Sequence, residues 1–193
     1  MIKHFNSGCV FGRVAEEPQK ETSTNGQDYI SFKVNVFGPK CGSISAYCRL
    51  WTPERIVPFL KAYRQTPSAQ FFLKGFYSQF KDNNNNFLSS FTIFEFDQRD
   101  KVEPRAVFIL RGEVDSALPM SNGDQRLLFK VKREGQQEEL FELFCPGERL
   151  LDTVEAGQVL EVKGYVRAAV TEDEFGGSSG PVRAYVHELK VLE

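Results

Sequence analysis

The sequence predicts an all-β protein made of two small five-stranded barrels in tandem, and three observations predict it. Apolar residues alternate with period two along most of the chain. Glycines interrupt the alternating runs at matching places, and the order of short motifs in the first half returns in the second. A chain of 193 residues with 41% hydrophobic and 26% charged residues suffices for one large core or two small ones. Its 18 phenylalanines favour strands and flat surfaces.

Taken in order, Gly8–Ala15 reads as a first strand interrupted by Gly12. Glu16–Gln27 is polar and holds Pro18 and Asn25-Gly26, a turn signal. Tyr29–Phe37 and Ser43–Trp51 then alternate cleanly, separated by Gly38-Pro39 and Gly42. Thr52-Pro53-Glu54-Arg55 resembles a helix start, with Thr as the cap and Pro at the first helical position. Ile56, Val57, Phe59, Leu60 and Tyr63 form that helix's apolar side, and Pro58 limits its length. Ala69–Phe80 and Phe87–Phe96 complete the unit as two strands joined by the polar loop KDNNNN.

After a charged stretch, Gln98–Arg105, the pattern restarts. Gly12-Arg13-Val14 is answered by Gly112-Glu113-Val114, and Asn25-Gly26 by Asn122-Gly123. Phe32-Lys33-Val34 returns as Phe129-Lys130-Val131, 97 residues on. Leu50-Trp51-Thr52-Pro53 returns as Leu143-Phe144-Cys145-Pro146, 93 residues on, and Leu73-Lys74-Gly75-Phe76 as Val162-Lys163-Gly164-Tyr165. Five weak matches in one order indicate a duplication: residues 1–98, a linker at 99–105, and 106–193. Five strands with a short helix between the third and fourth is the order of an OB-fold barrel, with glycines where coiled strands bend. Another small all-β barrel or sandwich is the alternative.

The alternation also assigns faces. Ile30, Phe32, Val34 and Val36 share one side of their strand, and Ile44, Ala46, Cys48 and Leu50 one side of theirs. Tyr29, Lys33 and Phe37, and then Tyr47, Arg49 and Trp51, point the other way. A core position for Trp51 would expose Ile44 and Leu50 and bury Arg49. Rings interleaved with cations on a sheet suit stacked bases and a phosphate backbone.

On Gly12-Arg13-Val14 with Pro18, Asn25-Gly26, Ser31-Phe32, Arg49-Leu50-Trp51, the helix and Lys74-Gly75, residues 5–96 resemble the bacterial single-stranded DNA-binding protein family. The resemblance implies Trp51, Tyr47 and Phe37 as stacking platforms and Arg49, Lys33, Arg13 and Lys74 as phosphate contacts. It further implies that Phe76, Phe80 and Lys81 lead the strand up a hairpin. Family members usually carry one such domain and an acidic, phenylalanine-ended tail. This sequence carries two and ends HELKVLE, which suggests a phage, plasmid or otherwise divergent relative.

The second unit differs. By the 93-residue offset, Tyr47, Arg49 and Trp51 become Leu140, Glu142 and Phe144, so an acid stands where a phosphate contact is wanted. Leu128, Leu140 and Phe144 read instead as an exposed apolar patch for a partner or for homo-oligomer contact. Thr171–Pro181, acidic and then Gly/Ser-rich, reads as a disordered tip in which Phe175 is a loop residue. Charge follows the same division: 12 Lys+Arg against 9 Asp+Glu in residues 1–100, and 12 against 17 in 101–193.

Catalysis has little to stand on: there is no phosphate-binding GxxxxGK[ST], no HExxH, no GxSxG and no histidine near a nucleophile. Four cysteines without a CxxC pair, and two histidines, argue against a metal site; no cofactor is implied. The cysteines are expected to be reduced, in a cytoplasmic protein without a membrane segment or export signal. The expected function is non-specific single-stranded DNA binding by the first unit, in replication, recombination or repair, with RNA as a second candidate partner. The alternative, favoured by the net charge of −2, is a protein-interaction module of a replication or conjugation assembly.

Overall fold

The computed structural model describes residues 3–38, 42–99, 102–147, 154–168 and 182–192. Eleven strands and one helix occur among them. The first barrel contains β1 (Phe5–Val14), β2 (Gln19–Thr22), β3 (Asp28–Gly38), β4 (Gly42–Leu50), α1 (Pro53–Gln65), β5 (Gln70–Lys81) and β6 (Phe87–Gln98). The second contains β7 (Arg105–Pro119), β8 (Gln125–Val131), β9 (Glu139–Cys145), β10 (Val159–Ala168) and β11 (Val182–Leu192). Pairings β1–β5, β5–β6, β6–β4, β4–β3 and β3–β1 close the first ring. Pairings β7–β10, β10–β11, β11–β9, β9–β8 and β8–β7 close the second in the same order. In each ring one pair is parallel, β4–β6 and β9–β11, and the rest are antiparallel. This is the OB-fold topology, built twice.

Each ring bends through a bulge on its last strand, where Phe94 of β6 is the extra residue opposite Lys74 and Gly75 and His187 of β11 the extra residue opposite Lys163 and Gly164. A Cβ at Gly75 would fall on the Thr92 carbonyl oxygen, and one at Gly164 on that of Tyr185. Only glycine permits the close backbone approach that the bend requires.

These bulges also fix which residues correspond. Gly75 pairs with Ile93 and Gly164 with Val186, so Thr92 answers Tyr185. Thr92 pairs with Arg49 and Tyr185 with Phe144, which makes Phe144 the counterpart of Arg49. Likewise Arg13 pairs with Asn35 as Glu113 pairs with Lys130. The motif offsets of 97 and 93 are thus both replaced by 95. Tyr47 answers Glu142, and Lys33 answers Leu128. Local identity misled by two residues on each strand, a slip that preserves the face because side chains alternate.

The core is aromatic and aliphatic throughout. The alternating sets of β3 and β4, from Ile30 to Val36 and from Ile44 to Leu50, are all buried. Helix α1 plugs its barrel through Ile56, Phe59 and Leu60 at i, i+3, i+4 spacing. Phe59 meets the rings of Phe32, Phe71 and Phe96 at 4.7–5.3 Å. Several sequence expectations change here. Val57 faces solvent, and the helix runs on through Pro58. The Thr52 side chain makes no capping bond; its carbonyl oxygen accepts from the N–H groups of Arg55 and Ile56. The polar stretch Glu16–Gln27 contains the extra strand β2, paired with β3. The second-unit helix and the tip at Thr171–Pro181 fall largely or wholly on positions outside the described residues.

The barrels join along β1 and β7, antiparallel from Phe5 opposite Arg111 to Phe11 opposite Arg105. Tyr77 is fully buried at this junction. Its ring lies 4.6 Å from Phe108 and 5.7 Å from Phe141 of the second barrel, and 5.4 Å from Phe91 of its own. Beyond Gly8, where the β1–β5 ladder ends, Asn6 continues it with its side chain. Its amide donates to the Tyr77 carbonyl at 2.7 Å and accepts from the Tyr77 N–H at 3.1 Å. The Tyr77 hydroxyl is satisfied by Ser89 and Gln79. Truncating a buried aromatic of this size costs about 3–5 kcal/mol. Tyr77→Ala should therefore lower the urea-unfolding free energy by about that amount, and Val57→Ala should leave it nearly unchanged.

Candidate nucleic-acid interface

On the outer face of β3, β4, β5 and β6 the non-core residues of the period-two runs come together. Trp51, just past the end of β4, stacks on Tyr29 with ring centres 4.2 Å apart and planes 23° from parallel. One row along, the Arg49 guanidinium lies 5.2 Å from the ring centre of Tyr47 and 5.6 Å from that of Phe80. Tyr47 and Phe80 meet edge to face. Lys33 pairs with Tyr47 across the β3–β4 ladder and extends the row toward β1. The result is two ring platforms flanking a cation along the outer face of β4, Trp51 and Tyr47 being four residues, or about 13 Å, apart in the strand direction. Trp51 and Tyr29 are half-buried and Phe80 is exposed, so ring faces remain open to a ligand.

The other sequence candidates sit around this centre. Phe37, 74% exposed, lies at the far end of β3. Lys81 covers the Phe87 ring at the tip of the β5–β6 hairpin, beside its turn. Phe76 packs on Phe94. Arg13 lies exposed on β1, opposite Asn35. Lys33 is bridged to Glu16 at 3.3 Å, and Lys74, next to the bulge, to Glu95 at 3.5 Å. Every side chain of the two pairs is half exposed or more and each pair is worth at most about 1 kcal/mol, so a phosphate can displace the carboxylate.

Sequence reading missed one acid in the middle of the face. Glu21 of β2 accepts from the Tyr29 hydroxyl at 2.5 Å and from the Ser31 hydroxyl, close to Arg49. The Ser31 and Tyr29 hydrogen bonds, with Arg49 beside them, hold its carboxyl below the usual carboxylate range. The same bond raises the Tyr29 hydroxyl. Glu21 thus orients the Tyr29 ring beneath Trp51, at the cost of a negative charge where phosphates would pass.

The second barrel departs most from expectation. Phe144 is only 6% exposed, covered by the Arg183 guanidinium 4.6 Å from its ring centre and flanked by Tyr185. Leu128 and Leu140 line a groove of about 730 Å³ whose other wall is the β5–β6 hairpin of the first barrel, including Lys81 and Leu88. The exposed apolar patch expected from Leu128, Leu140 and Phe144 is therefore corrected to a half-covered groove floor. Beside it, Tyr165 and Tyr185 stack across β10–β11 at 6.2 Å, and Arg167 lies 4.4 Å from the Tyr185 ring centre. Arg167 and Arg183 are direct cross-strand partners. Like charges so placed repel unless rings or an anion take them up. The signal was present as period-two alternation in Tyr165–Arg167 and Arg183–His187, but the motif matches end at Tyr165 and do not reach β11.

No family model matches the chain, and no curated protein matches it in sequence. Among solved structures, the single-stranded DNA-binding protein of Thermus aquaticus aligns with 100% of this chain and 95% of its own, at 15% identity and a TM-score of 0.66. A deletion mutant of that protein aligns with 100% of this chain and 97% of its own, at 13% identity and a TM-score of 0.63. Both likenesses concern the fold, and both span the two barrels together. Replacing Glu21 by Gln keeps one acceptor oxygen for a hydroxyl of the Tyr29–Ser31 pair and offers an amide N–H to the other hydroxyl oxygen, while removing the charge. Affinity for oligo-dT, measured by anisotropy at low salt, is expected to rise about two- to fivefold, the effect of one screened charge near the path.

Proposed function

We propose that this protein binds single-stranded DNA with little base preference, by stacking bases on outer-face aromatics and contacting phosphates with interleaved cations. The observation that carries the reading is the paired platform of Trp51 on Tyr29 and Arg49 between Tyr47 and Phe80. Each stacked base contributes roughly 1–3 kcal/mol, a gain that depends on a π-face and not on hydrogen-bond readout. Lys33, Arg13, Lys74 and Lys81 serve as exchangeable phosphate contacts along the rim, which makes affinity fall steeply with salt. The whole-length likeness in fold to the single-stranded DNA-binding protein of Thermus aquaticus supports the same reading. The physiological setting is replication, recombination or repair.

The labour is shared between the barrels rather than confined to the first. Arg167 and Arg183 over Tyr185 and Phe144 repeat, with different residues, the cation-on-ring construction of the first face. The groove between the β5–β6 hairpin and the second barrel gives a strand a route from one array to the other.

Trp51 is the only tryptophan in the chain, so its emission reports the site directly. Titration with oligo-dT should quench it and with double-stranded DNA should not; an unresponsive Trp51 at low salt would rule out the reading. Trp51→Ala with Arg49→Glu should weaken oligo-dT binding at least tenfold. An RNA oligomer of equal length tests whether the sugar matters.

A further inference from the structure

The turn joining β8 to β9 in the second barrel reaches the stacking face of the first. Arg133 of that turn places its guanidinium 4.2 Å from the ring centre of Phe76. Its Nη2 reaches Glu139 at 3.2 Å, while its Nε–H has no acceptor among the described residues. Arg133, Gln136 and Glu139 form one wall of an open cleft of about 610 Å³, whose opposite wall includes Trp51, Asn25 and Thr92 of the first barrel. Behind Arg133 a second cleft continues past His4, Lys3 and Lys132, where the His4 Nδ1 accepts the Lys132 N–H at 2.8 Å. Cations therefore line a route leading away from Trp51 at the seam between the barrels.

From this we infer that Arg133 is a nucleic-acid contact of the first barrel's site, supplied by the second barrel. It takes a phosphodiester of the strand whose base stacks on Trp51. The inference rests on the proposed single-stranded DNA binding and adds to it that neither barrel alone holds the complete site. The chemistry suits the task. A guanidinium lying on an aromatic face keeps its in-plane donors directed outward, and Arg is suited to forked phosphate recognition. Glu139 occupies one edge of that fork in the free protein and is the group a phosphate would displace. Side-chain exposures of 20% for Arg133 and 30% for Glu139 mean that this exchange occurs at the surface of the cleft, without unpacking the core.

The test is salt-dependent binding of oligo-dT to the full chain, followed by Trp51 quenching. Each phosphate contact on a single strand contributes about 0.7 to the slope of log K against log salt. Arg133→Gln should weaken binding about three- to tenfold and reduce the slope by about 0.7, while Arg133→Lys should keep the slope. Glu139→Gln, which frees the guanidinium, should tighten binding and steepen the slope, whereas Glu155→Gln, outside the cleft, should do neither. Wild-type affinity or an unchanged slope in Arg133→Gln would overturn the inference while leaving the first reading intact. Failure of the wild-type protein to bind would instead sink that reading. If melting curves show Arg133→Gln to be unfolded, the Glu139→Gln measurement decides, an unchanged affinity and slope counting against the contact.

Discussion

Strand β1 is hydrogen-bonded on both edges, to β5 within its own barrel and to β7 of the other, and β7 is bonded in the same way to β10 and β1. In an isolated barrel of this topology the first half of the opening strand would present an unpaired edge, open to association with any other strand. Here each barrel covers the edge of the other. The ladder from Phe5 to Phe11 satisfies those backbone groups and brings the two closed rings into register. Tyr77 fills the angle between them against Phe91, Phe108 and Phe141, while Asn6 extends the β1–β5 ladder by one pair. A buried aromatic with every polar group matched resists rotation of one barrel against the other.

That rigidity gives the outer faces a common geometry. With the barrels locked at β1 and β7, the β5–β6 hairpin of the first stands over the β8–β9 face of the second. Gln79 fastens it there, donating to the Glu142 carbonyl at 3.1 Å and accepting from its N–H at 2.6 Å. The β8–β9 turn meanwhile brings Arg133 onto Phe76. Each array of rings and cations thus adjoins a cleft shared by both barrels. A ligand that follows the surface meets fixed donors and ring faces already in place, so little ordering cost is incurred on binding.

A net charge of −2 is no obstacle to such a surface, because charge is arranged locally. Arg49, Arg133, Arg167 and Arg183 are each held on an aromatic ring, where the guanidinium keeps its charge and gives up flexibility. Acids close to the path are tied by hydrogen bonds, as Glu21 is by Ser31 and Tyr29, or by ion pairs, as Glu142 is by Arg126. The bound carboxylates position the rings and arginines and lower the net attraction for phosphate.

Period-two alternation determined by itself the strands, the buried sets of β3 and β4, and the side to which Tyr29, Lys33, Tyr47, Arg49 and Trp51 turn. Those properties depend on neighbours along the chain, and a pleated strand allows one solution when half its residues are apolar. The repeated order of elements also revealed two barrels of one type. Tertiary structure alone decided the two-residue correction to the correspondence, which bulges opposite Gly75 and Gly164 set through pairing with strands distant in sequence. It decided that Phe144 lies under Arg183 and that Glu21 enters the face. It decided too that Arg133 crosses from one barrel to the other. These contacts join residues 8 to more than 50 positions apart, and no alternation within one strand records them; they follow from how the strands pair within each ring and how the two rings meet along β1 and β7.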